Sequence, residues 1–384
     1  MFIPKITFNY YLLLLLFLFS ACQDNTDTDT STDQTAADTT ENARPVKPNP
    51  VNQVGRLIVE VDKLRLRDKG SGTGAVIDHL KKGSMLTDLN EISVASQTIT
   101  IRGVKYTEPW IKVRTAEGKE GWVFGGAVNY EGLSAANGAL KMRTRKLSTL
   151  FGKDLTQRIL AYGASYRNTN TEVEMANLYR DGTILRDTLI TYLTDRIVYT
   201  NEENSPDLFW LDKMLPGFTV QLAAEGTVYY FFWNYKKLAD KAKTTIGKVD
   251  DDFMGLALEV HSVDSIEHFY PSWFLQTWDY GGNSLLGQGK HEKILAQMDE
   301  IYQPEGLFAK DILELKNRLM ADITNPELEY WEDQDKILAE IDRIIAADFK
   351  ILNQQDKIAL ITRRKQFANY KKNKIKLNVR AGMS

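Results

Sequence analysis

One thiol, four histidines and a scatter of carboxylates bound the chemistry open to this 384-residue chain. Cysteine occurs once, at Cys22, so a Cys-His nucleophile would have to use that sulfur, and no second cysteine exists for a disulfide. His261, His268 and His291 fall in one stretch, beside Glu267, Tyr270, Trp273, Trp278, Asp279 and a glycine-rich run from 281 to 289. A metal centre needs three or four converging ligands with orienting partners, and there is no HExxH or comparably dense spacing. No metal and no cofactor is therefore expected. The plainer reading of this stretch is a packed loop between capped helices; as a second ligand groove it would use Trp273, Trp278 and Asp279. No GxSxG elbow is present to hold a serine nucleophile. Two carboxylates suffice for glycoside hydrolysis, with Glu225 and Glu267 as candidates, although a turn carboxylate such as Glu225 is ordinarily only solvated.

Gly287-Gln288-Gly289-Lys290 has part of the spacing of a phosphate-binding loop. It places Ser284 where the first glycine is needed and His291 where a magnesium-binding hydroxyl is needed, so the cradle is incomplete. Asp250-Asp251-Asp252 lacks the alternating oxygen ligands of a calcium loop and suits a helix N-terminus, where carboxylates complement the dipole. A net charge of −3 gives no case for nucleic acid as a partner.

The chain opens with Lys5, an apolar run from Tyr10 to Phe19, then Ser20-Ala21 before Cys22. A positive start, about ten apolar residues and small residues before a cut describe a secretory signal peptide over residues 1–21, too short to span a bilayer. Phe19-Ser20-Ala21-Cys22 resembles a bacterial lipobox, which implies acylation of Cys22 and a membrane anchor. Residues 22–53 then read as a disordered acidic tether with almost no large apolar side chain. Its acids resemble the surface-sorting signals of some bacterial lipoproteins, although a solvated linker explains them equally. The expected location is the cell envelope, lipid-anchored, with the outer membrane favoured and either its periplasmic or its surface face.

Residues 54–131 alternate apolar and polar side chains between glycine turns and predict a small β domain. Leu64-Arg65-Leu66-Arg67 places leucines inward and arginines outward. Trp110-Ile111-Lys112-Val113-Arg114, a Glu117-Gly118 turn and Gly121-Trp122-Val123-Phe124 form a predicted hairpin. These strings, in this order, resemble a bacterial SH3 (SH3b) domain, with its LxVR, WxKV and GWV-aromatic segments. The resemblance implies a small SH3-like barrel that binds peptidoglycan or a peptide segment of an envelope protein, through Arg67, Trp110, Lys112, Trp122 and Phe124. Two departures matter: Lys69-Gly70-Ser71 replaces the usual Gly-Pro-Ser, and residues 91–108 are an insertion whose Ile99, Ile101 and Val104 suggest an extra hairpin able to cover or extend the ligand face.

From 140 to 384 helical periodicity dominates, with predicted segments at 173–197, 207–215, 238–244, 253–260, 291–302, 308–323 and 327–372. A hairpin at Phe218–Ala223 and Val228–Trp233 interrupts them. The last segment ends in Arg363-Arg364-Lys365, Lys371-Lys372, Lys374 and Lys376, a basic face suited to solvent or to anionic lipid. Leu377–Ser384 resembles the opening SH3b motif again, by chance, as a remnant, or as a strand that pairs elsewhere. The expected architecture is multidomain α+β: a small SH3-like β-barrel, then a mainly α-helical domain with a short β-hairpin. The expected function is non-catalytic binding by an anchored lipoprotein, with a carboxylate-dependent wall glycosidase as the alternative.

Overall fold

Alternation of side chains along residues 56–130 is realised as an antiparallel sheet of seven strands in the computed structural model, which describes residues 55–196, 208–223, 228–261, 270–276 and 281–379. The strands are β1 (Arg56–Val59), β2 (Leu64–Arg67), β3 (Val76–Leu80), β4 (Met85–Ile101), β5 (Val104–Arg114), β6 (Glu120–Phe124) and β7 (Val128–Tyr130). Their spatial order is β3-β2-β6-β5-β4-β1-β7, and the sheet curls around Leu57, Val59, Leu66, Ile111, Val113 and Val123, all fully buried. The inserted segment extends β4 and β5 into a long hairpin, with Ile99 opposite Tyr106 and Ile101 opposite Val104. Its turn residues Arg102 and Gly103 both have positive φ, at 50° and 81°, the tight-turn geometry that follows the right-handed twist of a strand pair.

The second half contains α1 (Ala135–Asn168), α2 (Glu172–Arg196), a 3₁₀ turn at Phe209–Lys213, the hairpin β8 (Phe218–Ala223) and β9 (Val228–Trp233), α3 (Tyr235–Ala242) and α4 (Val249–Val260). The strands β10 (Phe274–Gln276) and β11 (Gly282–Ser284) follow, then α5 (Lys290–Ile301), α6 (Ala309–Thr324), α7 (Gln334–Ala347) and α8 (Gln354–Ala368). The molecule is thus α+β. Residues 53–384 form one compact unit that contains two apolar cores, one under the sheet and one among the helices.

Helix α1 belongs to both cores, which is why its periodicity escapes a reading that starts the helices at Val173. Met142 faces the sheet core, whereas Leu147, Phe151, Leu155 and Ile159 face the other. Gly152, at φ 75° and ψ 177°, breaks the helical path between two such segments. Docking on the sheet is close: a Cβ at Gly125 would lie 2.6 Å from the Pro109 carbonyl oxygen and 2.7 Å from the Met142 sulfur.

The expected helix from 327 to 372 is two helices. Asp348 ends α7 in the left-handed conformation, Ile351 and Leu352 plug the core, and Asn353 with Asp356 forms a reciprocal capping box that starts α8. The C-terminal motif pairs with an internal segment: the Tyr330 amide donates to the Lys376 carbonyl at 3.0 Å, and the Val379 amide donates to the Tyr330 carbonyl at 3.0 Å.

The glycine loop before α5 is closed by a carboxylate of the chain itself. Glu340 of α7, 0% exposed, accepts the backbone N–H groups of Gly287 at 2.5 Å, Gly289 at 2.9 Å and Glu292 at 3.1 Å. Replacing Glu340 by Ala leaves these buried donors unsatisfied, so we expect urea unfolding to show a loss of about 3 kcal/mol or more; a loss under about 1 kcal/mol would mean that water takes over the site.

Candidate functional site

The outer face of β5 and β6 holds the residues that the SH3b resemblance marks for ligand contact. Trp122 stands opposite both Lys112 and Arg67, and Trp110 stands opposite Phe124, with the two rings edge to face at 5.8 Å. Alternation places Arg67 on this outer face as expected, but it is buried, not open. The β2–β3 loop folds over it: its guanidinium donates to the Gly74 carbonyl at 2.5 Å and lies 5.8 Å from the Trp110 ring centre. Gly70 packs so tightly that a Cβ there would sit 2.9 Å from the Trp122 ring.

The insertion completes the cover. Gln97 accepts from the Trp110 indole N–H and from the Gly72 amide, both at 2.9 Å, and ties the long hairpin to the loop. Trp110 and Phe124 are each 3% exposed. Lys112 and Trp122 keep partial exposure, and the Lys112 ammonium pairs with Glu91 at 2.6 Å.

What stays open is a groove of about 540 Å³ further along the same hairpin, against the start of α1. Val104, Tyr106 and Glu108 of β5 form one wall, Gly125 and Gly126 the floor, and Ala139 of α1 the other wall. Val104 is 54% exposed and Tyr106 is 37% exposed, so apolar surface faces water here. Glu60, Glu108 and Arg102 supply the charges. Glu108 lies 4.0 Å from the Arg143 guanidinium, and burial pushes its carboxyl above the ordinary glutamate range against the opposing pull of Arg143, Lys213 and Lys146. The groove can hold an extended apolar segment against its glycine floor and offer carboxylates to an amine or amide donor.

A second polar cluster, not visible in the sequence, joins Ser284, His291 and Asp322. Asp322 Oδ2 accepts from the Ser284 hydroxyl at 2.5 Å and lies 2.8 Å from His291 Nε2, and all three residues are buried. Activation of a serine requires the imidazole between hydroxyl and carboxylate. Here the carboxylate lies between the other two, so the set holds β11, α5 and α6 together and does not build a nucleophile. Trp273, 1% exposed, packs 6.2 Å from the His291 ring, while Trp278, Asp279, Cys22, Glu225, Glu267 and His268 lie outside the described residues. His261 stacks instead on Tyr235, with ring centres 5.3 Å apart. Among the described residues no group of three His, Cys, Asp or Glu side chains is arranged to hold a metal ion, and no helix is long and apolar enough to cross a membrane.

Comparison with protein-family models, with curated proteins and with solved structures yields no match to this chain.

The raised Glu108 carboxyl has a testable signature. Between the ordinary glutamate range and the raised folded value the native protein keeps a proton that the unfolded chain has released, so stability contributed by this group falls as pH rises through that window. Glu108→Gln removes the effect, and its melting temperature should gain on wild type as pH rises above the ordinary glutamate range of about 4. Parallel melting curves would show instead that Arg143 holds the carboxylate ionised throughout.

Proposed function

We propose that the chain is an envelope-anchored lipoprotein that binds, without turnover, a peptide segment in the groove between the β4–β5 hairpin and α1. The observation that carries the reading is that groove: exposed Val104 and Tyr106, a floor at Gly125 and Gly126 without side chains, and acids at Glu60 and Glu108. Apolar side chains can lie against the walls, and an amine can pair with a carboxylate. A wall stem peptide with a free side-chain amine, or an equivalent segment of an envelope protein, has this chemistry. The SH3b resemblance supports the same ligand class, with the binding place displaced along the face because the loop at 68–75 and Gln97 cover its middle. The leader and Cys22 supply the address, since an acylated cysteine followed by a polar tether keeps a binding domain at the membrane.

Two measurements test this reading. The protein from Gln23 to Ser384 should be retained on purified sacculi or on immobilised stem peptide. Retention should fall at least about tenfold on Ala139→Trp, which fills the groove from its half-buried helix wall, and should survive Lys112→Gln at the partly exposed end of the sheet face. The reverse pattern would return the ligand to the Lys112–Trp122 end. Labelled palmitate should enter the wild-type chain in a bacterial host and not Cys22→Ala; equal labelling removes the anchor.

A further inference from the structure

The helical half has an opening of opposite electrostatic character. A pocket of about 270 Å³ is bordered by Arg186, Asp187 and Ile190 of α2, Tyr230 and Phe232 of β9, Tyr235 of α3, His261 and Arg318 of α6. That volume lies just below the ~300–1,000 Å³ usual for small-molecule sites.

Its walls are largely aromatic. Tyr230 and Phe232, two apart on β9, stack at 5.7 Å with 24° between their planes, and Tyr235 stacks on His261 at 15°. Trp233 backs this wall, held between Phe218 at 4.0 Å and Tyr179 at 5.0 Å. The Tyr235 and Tyr179 hydroxyls meet at 3.0 Å, which fixes the ring that separates the two stacks.

The cations lie at the same place. Arg186 and Arg318 both act on the Tyr235 phenol, where they oppose the rise that burial imposes. Arg318 is exposed and has no hydrogen-bond or ion-pair partner among the described residues. Arg186 pairs at 2.9 Å with its own neighbour Asp187, whose side chain is 61% exposed. An exposed pair of this kind contributes little and yields readily to a better-placed anion. A planar guanidinium matches a carboxylate in a two-point fork, and aromatic faces match a ring.

We propose that this pocket is a binding site for a small ring-bearing carboxylate, its carboxylate held by Arg186 and Arg318 and its ring laid on the aromatic wall. This goes beyond the peptide groove and does not depend on it, since the two sites share no residue and carry opposite charge.

Calorimetric titration of the protein from Gln23 to Ser384 tests the proposal with benzoate, N-acetylmuramic acid and inorganic phosphate as probes. At least one of the two ring acids should bind saturably at one site, with phosphate at least about tenfold weaker. Arg318→Gln and Arg186→Gln should each weaken that binding about tenfold or more, the loss expected for one charge-assisted fork. Arg318→Lys, which keeps the charge without the fork, should recover only part of it. Absence of saturable binding by both ring acids up to about 10 mM overturns the proposal, as does binding that neither arginine change weakens. Phosphate binding as tight as the ring acids also overturns it, because the aromatic wall would then add nothing. Sacculus retention should be unchanged in both arginine variants, so failure here leaves the groove reading standing and failure there leaves this one.

Discussion

Lys146 joins the two halves of this protein. Its ammonium is 2% exposed, donates to the Ser96 hydroxyl on β4, and stands 4.3 Å over the Trp210 ring in the helical core. A buried ammonium is expensive unless it is hydrogen-bonded and faced by compensating charge or π density. That penalty enforces geometry, because the sheet, α1 and the 3₁₀ turn that carries Trp210 satisfy the charge only when all three are in place. Neighbouring residues reinforce the join: Arg145 ion-pairs with the buried Asp88 and donates to the Tyr130 hydroxyl at 2.7 Å, and Arg143 approaches Glu108. The basic run Lys141–Lys146, which by composition reads as a solvated helix face, is therefore the seam of the molecule. It also sets the groove, since the distance between the β5 wall and the α1 wall is what these cations hold.

The glycine loop before α5 shows the same logic with the sign reversed. Backbone N–H groups at a glycine turn and helix start make an anion site by geometry alone, whatever the residues around them. Sequence reasoning correctly finds the phosphate loop incomplete at Ser284 and His291. It does not reveal that the amides are nevertheless aimed at one point, or that Glu340, some fifty residues later, supplies the anion. An internal carboxylate held by amides fixes α7 against α5, and it takes the place of a ligand rather than awaiting one. Glu292 of the same turn continues the link outward through Arg343 at 2.7 Å.

How legible these features were depends on the range of the interaction that produces them. The hairpin Phe218–Ala223 and Val228–Trp233 falls residue for residue where the apolar runs predict, because alternation around a turn is a local signal. Helices α2, α5 and α6 begin and end within a residue of expectation for the same reason. The α7–α8 break was harder. A left-handed Asp348 is indistinguishable in type from any helical aspartate, although the Asn353-x-x-Asp356 box that restarts the chain is legible in the sequence. Pairing of Lys376–Val379 with Tyr330 and the cover of Gln97 over Trp110 are contacts between distant segments, and no periodicity encodes them. The ligand face was the least legible part. The sequence marks the insertion as able to cover that face, but only the Gln97 hydrogen bonds decide that it does, and burial of Arg67 follows from the β2–β3 loop folding over it and not from its position in the strand.

The two open sites are best understood together through charge. The chain as a whole carries only −3, too little over its size to steer a ligand from a distance. If the two openings bind as proposed, selection is made inside each one, where partial burial lowers the local dielectric and strengthens a matched pair. The groove presents Glu60 and Glu108, and the pocket presents Arg186 and Arg318, so a ligand that suits one is repelled by the other. A carboxylate entering the groove would meet Glu60 and Glu108, the latter pushed toward its neutral form by burial, with Arg102 and Arg143 as the nearby cations. An amine entering the proposed pocket would face two guanidiniums, one of them already paired with Asp187. On the proposed reading, discrimination needs no large net charge, only walls of unlike charge in the two openings.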